Sequence, residues 1–330
     1  MNHFLSRNDV SDIQALLKMA RVIKQNPLDN NTLGKNKTIV LLFFNSSLRT
    51  RLSTQKAAYN LGMNVIPMNV SQSWGIEFED GTIMNLDKAE HVREAAAVIS
   101  QYADIIGIRT FANLSNREKD YKDLVLNQFV KYASVPIVNL ESATVHPLQS
   151  FTDLFTIEQY KKKPHPKVVL TWVPHPRALP QAVANSFVEW IKKTDYELII
   201  THPKGYELAP QFTVDCTVEY DQRKAFENAD FIYAKNWSSY SDYGKILSTD
   251  EDWMLTPDKM ALSNDAYFMH CLPVRRNVIV EDAVIDSPQS IVIQQAGNRA
   301  IIAQTILSTL LQNLKSKSRH EQLTTSKLHM

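Results

Sequence analysis

The sequence predicts an α/β protein of two doubly wound parallel-sheet domains joined by interdomain helices, and three observations carry that reading. Residues 39–44 (IVLLFF) and Lys167–Val173 (KVVLTWV) are β-branched apolar runs of strand length, unbroken enough for strands covered on both faces. Stretches of helical periodicity separate such runs, which is the alternation of a parallel sheet. The alternation halts at a helix over 147–162, with Pro at its first position, and then restarts.

In chain order, residues 9–24 form a first helix with Val10, Ile13, Leu16, Leu17 and Ala20 on one side. The run 39–44 is the first strand. Asn45 and Ser46 end it as capping types, and Leu48, Leu52 and Tyr59 recur at helical spacing until Gly62. Residues 64–69 are a second strand, 71–82 a polar, glycine-punctuated loop, 89–102 an amphipathic helix and 104–109 a strand. A helix over 122–133 and a strand over 136–141 complete the first half. The second half reads as strand Lys167–Val173, helix 179–192, strands 196–201, 230–234, 267–271 and 290–293, and a final helix over about 299–314. The tail after Lys315 is polar and expected to fray.

A chain of 330 residues is long enough for two such domains. Apolar residues at 44% and charged residues at 22% fit a soluble globular protein. A net charge of +1 speaks against a nucleic-acid partner. The first residues lack the apolar segment of a secretory leader, and no run reaches membrane-spanning length, so no membrane partner is expected. Cys216 and Cys271 build no disulfide scaffold and lack zinc-type spacing. A reducing cytoplasm, with no metal and no cofactor, is the expectation.

Ligands of parallel sheets bind beyond the carboxyl ends of the strands, so the residues that follow each strand belong together. The first strand leads into Ser47-Leu48-Arg49-Thr50-Arg51, two hydroxyls and cations at the positive end of a helix, which is a site for phosphate or another compact dianion. Arg49 and Arg51 are unfavourable there without an anion. Later strands deliver Arg109, Glu141 with His146-Pro147-Leu148-Gln149, His175-Pro176-Arg177, Lys235-Asn236-Trp237, His270-Cys271-Leu272-Pro273 with Arg275 and Arg276, and Asn298-Arg299. Together they predict a wide, cationic, polar cleft between two domains. A His, a Gln and an Arg near a phosphate site suit acyl transfer from an acyl phosphate, driven by orientation and oxyanion stabilisation.

These motifs resemble a known family. Ser47-Leu48-Arg49-Thr50-Arg51 resembles the Ser-x-Arg-Thr-Arg signature of aspartate and ornithine carbamoyltransferases, His146-Pro147-Leu148-Gln149 their His-Pro-x-Gln motif, and His270-Cys271-Leu272-Pro273 the His-Cys-Leu-Pro motif of the ornithine branch. The resemblance implies a carbamoyl-phosphate domain over 1–150, with a C-terminal helix of about 299–330 packing back on it, and an amino-acid-substrate domain over 151–298. It also implies a homotrimer with shared sites. On the family pattern Ser47, Leu48, Arg49 and Thr50 hold the phosphate. Arg109, His146 and Thr50 polarise the carbamoyl oxygen. Gln149 and the main chain around Cys271-Leu272 take the carbamoyl NH2, with Arg299 nearby and Cys271 close to the chemistry. The Leu272–Pro273 bond is expected to be cis.

One departure matters. Ornithine carbamoyltransferases carry an Asp and a Ser-Met-Gly segment that meet the free α-ammonium of ornithine, whereas this chain reads FIYAKNWSSYSDYGK and places Lys235 and Trp237 there. A cation repels an α-ammonium but suits an α-carboxylate beside a blocked nitrogen. With Trp74, Glu141, His175, Lys235 and Arg275 in place, the pattern resembles N-acylornithine carbamoyltransferases. That resemblance implies that Trp74 enters a neighbouring subunit's site, and that the other four contact the acylornithine. The position that separates acetyl (Glu) from succinyl (Pro) substrates aligns with Ala89, next to Glu90, and the surrounding segments favour succinyl. The alternatives are an N-acetylornithine enzyme, a plain ornithine enzyme or, in another class, a non-catalytic phosphate-sensing module. No residue is an obvious general base for the δ-amine, and the departing phosphate is the expected proton acceptor.

Overall fold

A computed structural model describes residues 1–70 and 74–328, with side chains through residue 316. Strands are numbered in chain order: β1 Thr38–Phe43, β2 Asn64–Asn69, β3 Ile76–Glu77, β4 Glu90–His91, β5 Ile105–Arg109, β6 Ile137–Glu141, β7 Lys167–Val173, β8 Glu197–Thr201, β9 Thr217–Glu219, β10 Phe231–Asn236 and β11 Tyr267–Met269. The chain divides into two compact units. The first comprises Met1–Thr110, Leu124–Glu141 and Arg299–Met330, the second Phe111–Asp123 and Ser142–Asn298. The division departs from the break expected after residue 150, because 111–123 and 142–150 count with the second unit.

The first unit is built on a parallel sheet of order β2-β1-β5-β6. Central β1 and β5 are apolar runs buried on both faces, as a doubly covered parallel strand must be. The helix Val92–Tyr102 lays Val92, Ala95 and Ala96 on the core, and Phe129 enters from the helix Leu124–Tyr132. The winding reverses between β1 and β5, which is the place where doubly wound sheets bind ligands.

The second unit carries a parallel sheet of order β11-β10-β7-β8-β9, reversing between β7 and β10. Its core joins Val169 and Val173 of β7 to Ile232 and Ala234 of β10, Phe226 and Phe268. The helix Pro147–Tyr160 is buried along most of its length, with Phe151 stacked on Trp190 at 4.9 Å.

Both sheets agree with the parallel, doubly wound expectation, and three local readings need correction. Residues 290–293 are not a strand: Ser290 makes a single bridge to Phe268, and a helix runs from Val292 to Leu328, starting seven residues before the expected Arg299. The β-branched run alternates only in part, since Ile291 and Val292 are buried while Ile293 is 71% exposed, and the helical periodicity that follows prevails. The backbone stays helical beyond Lys315, where fraying was expected. The loop expected over 71–82 contains β3, and its residues 71–73 lie outside the described residues. Among the described residues no helix is long and apolar enough to cross a membrane.

Candidate active site

In the first unit the helix Arg49–Asn60 begins one short loop after β1. Asn45 and Ser46 do not cap it as expected. Leu48 occupies the cap position and offers no side-chain acceptor, so the first-turn N–H groups keep their capacity to bind an anion. Arg109, at the end of β5, donates from Nη1 to the carbonyl oxygens of Ser46 (2.6 Å) and Asn45 (3.3 Å), holding that loop. Its Nη2 forms an ion pair of 3.0 Å with Glu141, at the end of β6. Burial lowers the pKa of the Arg109 guanidinium, opposed by Glu141.

Thr50 is buried, and Arg299 donates from Nη2 to its hydroxyl at 2.6 Å. Ser47, Leu48, Arg49, Thr50, Arg109, Glu141 and Arg299 are thus all in one unit. Arg51 departs from the expectation that it needs an anion: it donates to the Asn69 side chain and lies over the Phe43 ring at 4.1 Å. The Arg49 side chain forms no hydrogen bond or ion pair among the described residues, and a bound dianion would compensate it. Trp74 donates its indole N–H to Glu90 (2.7 Å) and lines a pocket of about 190 Å³ with Leu42, Met68 and Val98.

The second unit holds the remaining candidates. His146 is buried at the cap of the helix Pro147–Tyr160, with Pro147 at its first position. Gln149 lies one turn along, donating from Nε2 to Asp153 at 2.7 Å. After β11, His270 accepts the Leu272 N–H on Nδ1 (2.9 Å), and the Leu272–Pro273 bond is cis, as expected. The hydrogen bond to Leu272 makes His270 part of the loop's frame. Cys271 is half-buried on this loop.

His175, Lys235 and Arg275 gather beyond β7, β10 and β11. Arg275 donates from Nε to His175 Nε2 (3.2 Å), so the proton of the neutral ring sits on Nδ1, which donates to the Arg177 carbonyl (2.7 Å) in preference to accepting the longer approach of the Arg177 N–H (3.1 Å). Desolvation, then Arg275, Lys235 and Arg177, lowers the His175 pKa, against the bond to Arg177. Lys235 is only 7% exposed, and its side chain makes no hydrogen bond or ion pair among the described residues. His175, Arg275, Trp237, Ser248 and Thr249 line a pocket of about 440 Å³ at the β7/β10 reversal. Ser248, Thr249 and the buried Asp153, Tyr233 and Gln295 were not singled out in the sequence. The spacing of Gln149 and Asp153, four apart and so on one face of the helix, was an available signal.

Cationic side chains gather at the reversal of each sheet, Arg49, Arg109 and Arg299 in the first unit and Lys235 and Arg275 in the second, an arrangement suited to small anionic substrates. Residues 2–159 match the carbamoyl-P binding domain, and residues 180–310 the Asp/Orn binding domain, of aspartate/ornithine carbamoyltransferases. The chain belongs to the aspartate/ornithine carbamoyltransferase family and is an enzyme of that class. It is 57% identical to an N-succinylornithine carbamoyltransferase of Bacteroides fragilis, over 95% of this chain and 100% of the relative. It is 36% identical to an N-acetylornithine carbamoyltransferase of Xylella fastidiosa, over 94% of this chain and 98% of the relative. A crystal structure of N-acetyl-L-ornithine transcarbamylase, with one glutamate replaced by alanine and complexed with carbamyl phosphate and N-succinyl-L-norvaline, superposes with a TM-score of 0.90 at 35% identity, covering 94% of this chain and all of that one.

Proposed function

We propose that this protein transfers the carbamoyl group of carbamoyl phosphate to the δ-amine of N2-succinyl-L-ornithine, giving N2-succinyl-L-citrulline and phosphate in cytoplasmic arginine biosynthesis. The observation that carries the acyl group is the 57% identity to an N-succinylornithine carbamoyltransferase, against 36% to an N-acetylornithine enzyme. The alanine-substituted acetyl enzyme that holds a succinyl ligand supports it, because this chain has Ala89 where a glutamate would repel a second carboxylate, while the neighbouring Glu90 bonds Trp74.

In this reading the first unit holds the phosphate end of carbamoyl phosphate. The helix start from Ser47 to Thr50, with Arg49 and Arg299, holds the phosphate. Arg109 and His146 polarise the carbamoyl oxygen, and Gln149 with the Cys271-Leu272 main chain takes the carbamoyl NH2. Glu141, His175, Lys235 and Arg275 serve the acylornithine, the buried Lys235 pairing with its α-carboxylate. The δ-amine attacks the carbamoyl carbon, the C–O bond to phosphate breaks, and a phosphate oxygen takes the amine's proton. Orientation and electrostatic stabilisation then supply the rate. A homotrimer with Trp74 reaching a neighbour is supported by the exposed apolar residues of the first unit, among them Leu48, Leu52, Tyr59, Ile83 and Leu86.

Purified protein mixed with carbamoyl phosphate and N-succinyl-, N-acetyl- or free ornithine, followed by ureido-product assay, tests the proposal. Turnover highest with the succinyl substrate is expected. Turnover with free ornithine alone, or with none, overturns it.

A further inference from the structure

Behind the Gln149 side chain the second unit holds a buried carboxylate that takes no part in the reaction as written above. Asp153 is fully buried, and its Oδ1 accepts from Gln149 Nε2 and from Gln295 Nε2, each at 2.7 Å. Gln295 Oε1 accepts the His270 N–H at 3.0 Å, and His270 accepts the Leu272 N–H. The buried Tyr233 side chain lies beside Asp153 and Cys271, and burial, then these two neighbours, pushes its phenol well above its ordinary range. One acid therefore touches both the Gln149 amide and, through Gln295, the backbone of the His270–Leu272 loop.

An amide can turn either end to a neutral partner, but a carboxylate only accepts. Asp153 thus compels Gln149 to turn its NH2 inward and its carbonyl oxygen the opposite way. It does the same to Gln295, whose carbonyl oxygen then holds His270. Burying an acid is costly unless such donors meet it. Packing alone would be served by a leucine.

We infer that Asp153 is a positioning residue for the carbamoyl group: it sets Gln149 so that Oε1 accepts from the carbamoyl NH2, and it holds the Cys271-Leu272 main chain in register through Gln295. The inference rests on the proposed reaction, in which Gln149 meets that NH2.

The test is a double-mutant cycle on kcat, with KM for the acylornithine and thermal stability measured alongside. Asp153→Asn keeps the shape and removes the compulsion. It is expected to lower kcat about tenfold in the parent, leave the acylornithine KM within about twofold, and change kcat less than about twofold in a Gln149→Ala background. Equal losses in both backgrounds, or a loss that follows stability alone, overturn the inference. If Asp153→Asn yields no folded protein, the exchange Gln149→Glu with Asp153→Asn reads the same arrangement. The amide introduced at position 153 then donates to one oxygen of the carboxylate introduced at position 149 and leaves the other facing away. This double variant is expected to be at least about tenfold more active than Gln149→Glu alone, and equal activity overturns the inference. Absence of turnover in the unaltered protein would instead refute the reaction itself, a separate result.

Discussion

Arg109 and Glu141 end the adjacent strands β5 and β6, where a register shift after Ile108 sets them opposite each other, and form an ion pair of 3.0 Å with both side chains buried. The pair lies at the same sheet edge as the helix start at Arg49, and the Arg109 guanidinium also holds the loop before that helix. Glu141, expected from its motif to serve the acylornithine, therefore has a structural duty as well.

Replacing Glu141 by Gln leaves a buried guanidinium without its counter-charge. Breaking such a pair costs about 3–5 kcal/mol. Urea unfolding of E141Q is expected to show a loss of this order even without substrates, and an unchanged midpoint would contradict the duty assigned here.

Thr50 and Arg299 meet through a hydrogen bond of 2.6 Å beside the first helical turn. T50A removes a hydroxyl from the proposed phosphate site and the partner that orients Arg299. Loss of a hydrogen bond to a charged group is worth roughly 1.5–3 kcal/mol, so KM for carbamoyl phosphate is expected to rise roughly ten- to hundredfold. KM for the acylornithine should hold steady in the same initial-rate measurements.

His175 accepts from Arg275, which only the neutral ring can do. Its folded pKa lies below the ordinary histidine value of 6.5, chiefly through desolvation. As pH falls past that value the unfolded chain takes up the proton first. The folded protein therefore loses stability between 6.5 and the lower folded pKa, and the group contributes no pH dependence above that window. The acylornithine KM is expected to rise through the folded pKa as Arg275 loses its partner. In H175Q that acid limb should flatten.

Ala89 precedes Glu90, whose carboxylate is engaged by Trp74. A89E adds a second carboxylate at this point. It is expected to lower kcat/KM for the succinyl substrate about tenfold, roughly 1.4 kcal/mol, and to spare the acetyl substrate. A parallel loss on both would remove charge repulsion as the basis of acyl choice.

The motifs after the strands were legible because parallel strands must be apolar throughout and their polar successors must lie at the carboxyl edge. Ser47 to Thr50, Arg109, Gln149 and Arg299 could be named from that rule and from the family resemblance. The local helix cap was misread because Asn45 and Ser46 are good capping types, yet the Arg109 guanidinium draws their carbonyls into a loop and Leu48 takes the cap. The run before Arg299 was misread because four residues cannot separate a strand from the first turn of a helix.

The sequence by itself determined the two parallel sheets, the helix that follows the first strand and the family, since apolar runs and motif spacing are local along the chain. Only the tertiary structure decided the partners: Glu141 with Arg109, Arg299 with Thr50, and Gln149 and Gln295 with Asp153. Those pairings join residues from separate elements or turn on the direction of a buried side chain, and spacing along a chain encodes neither.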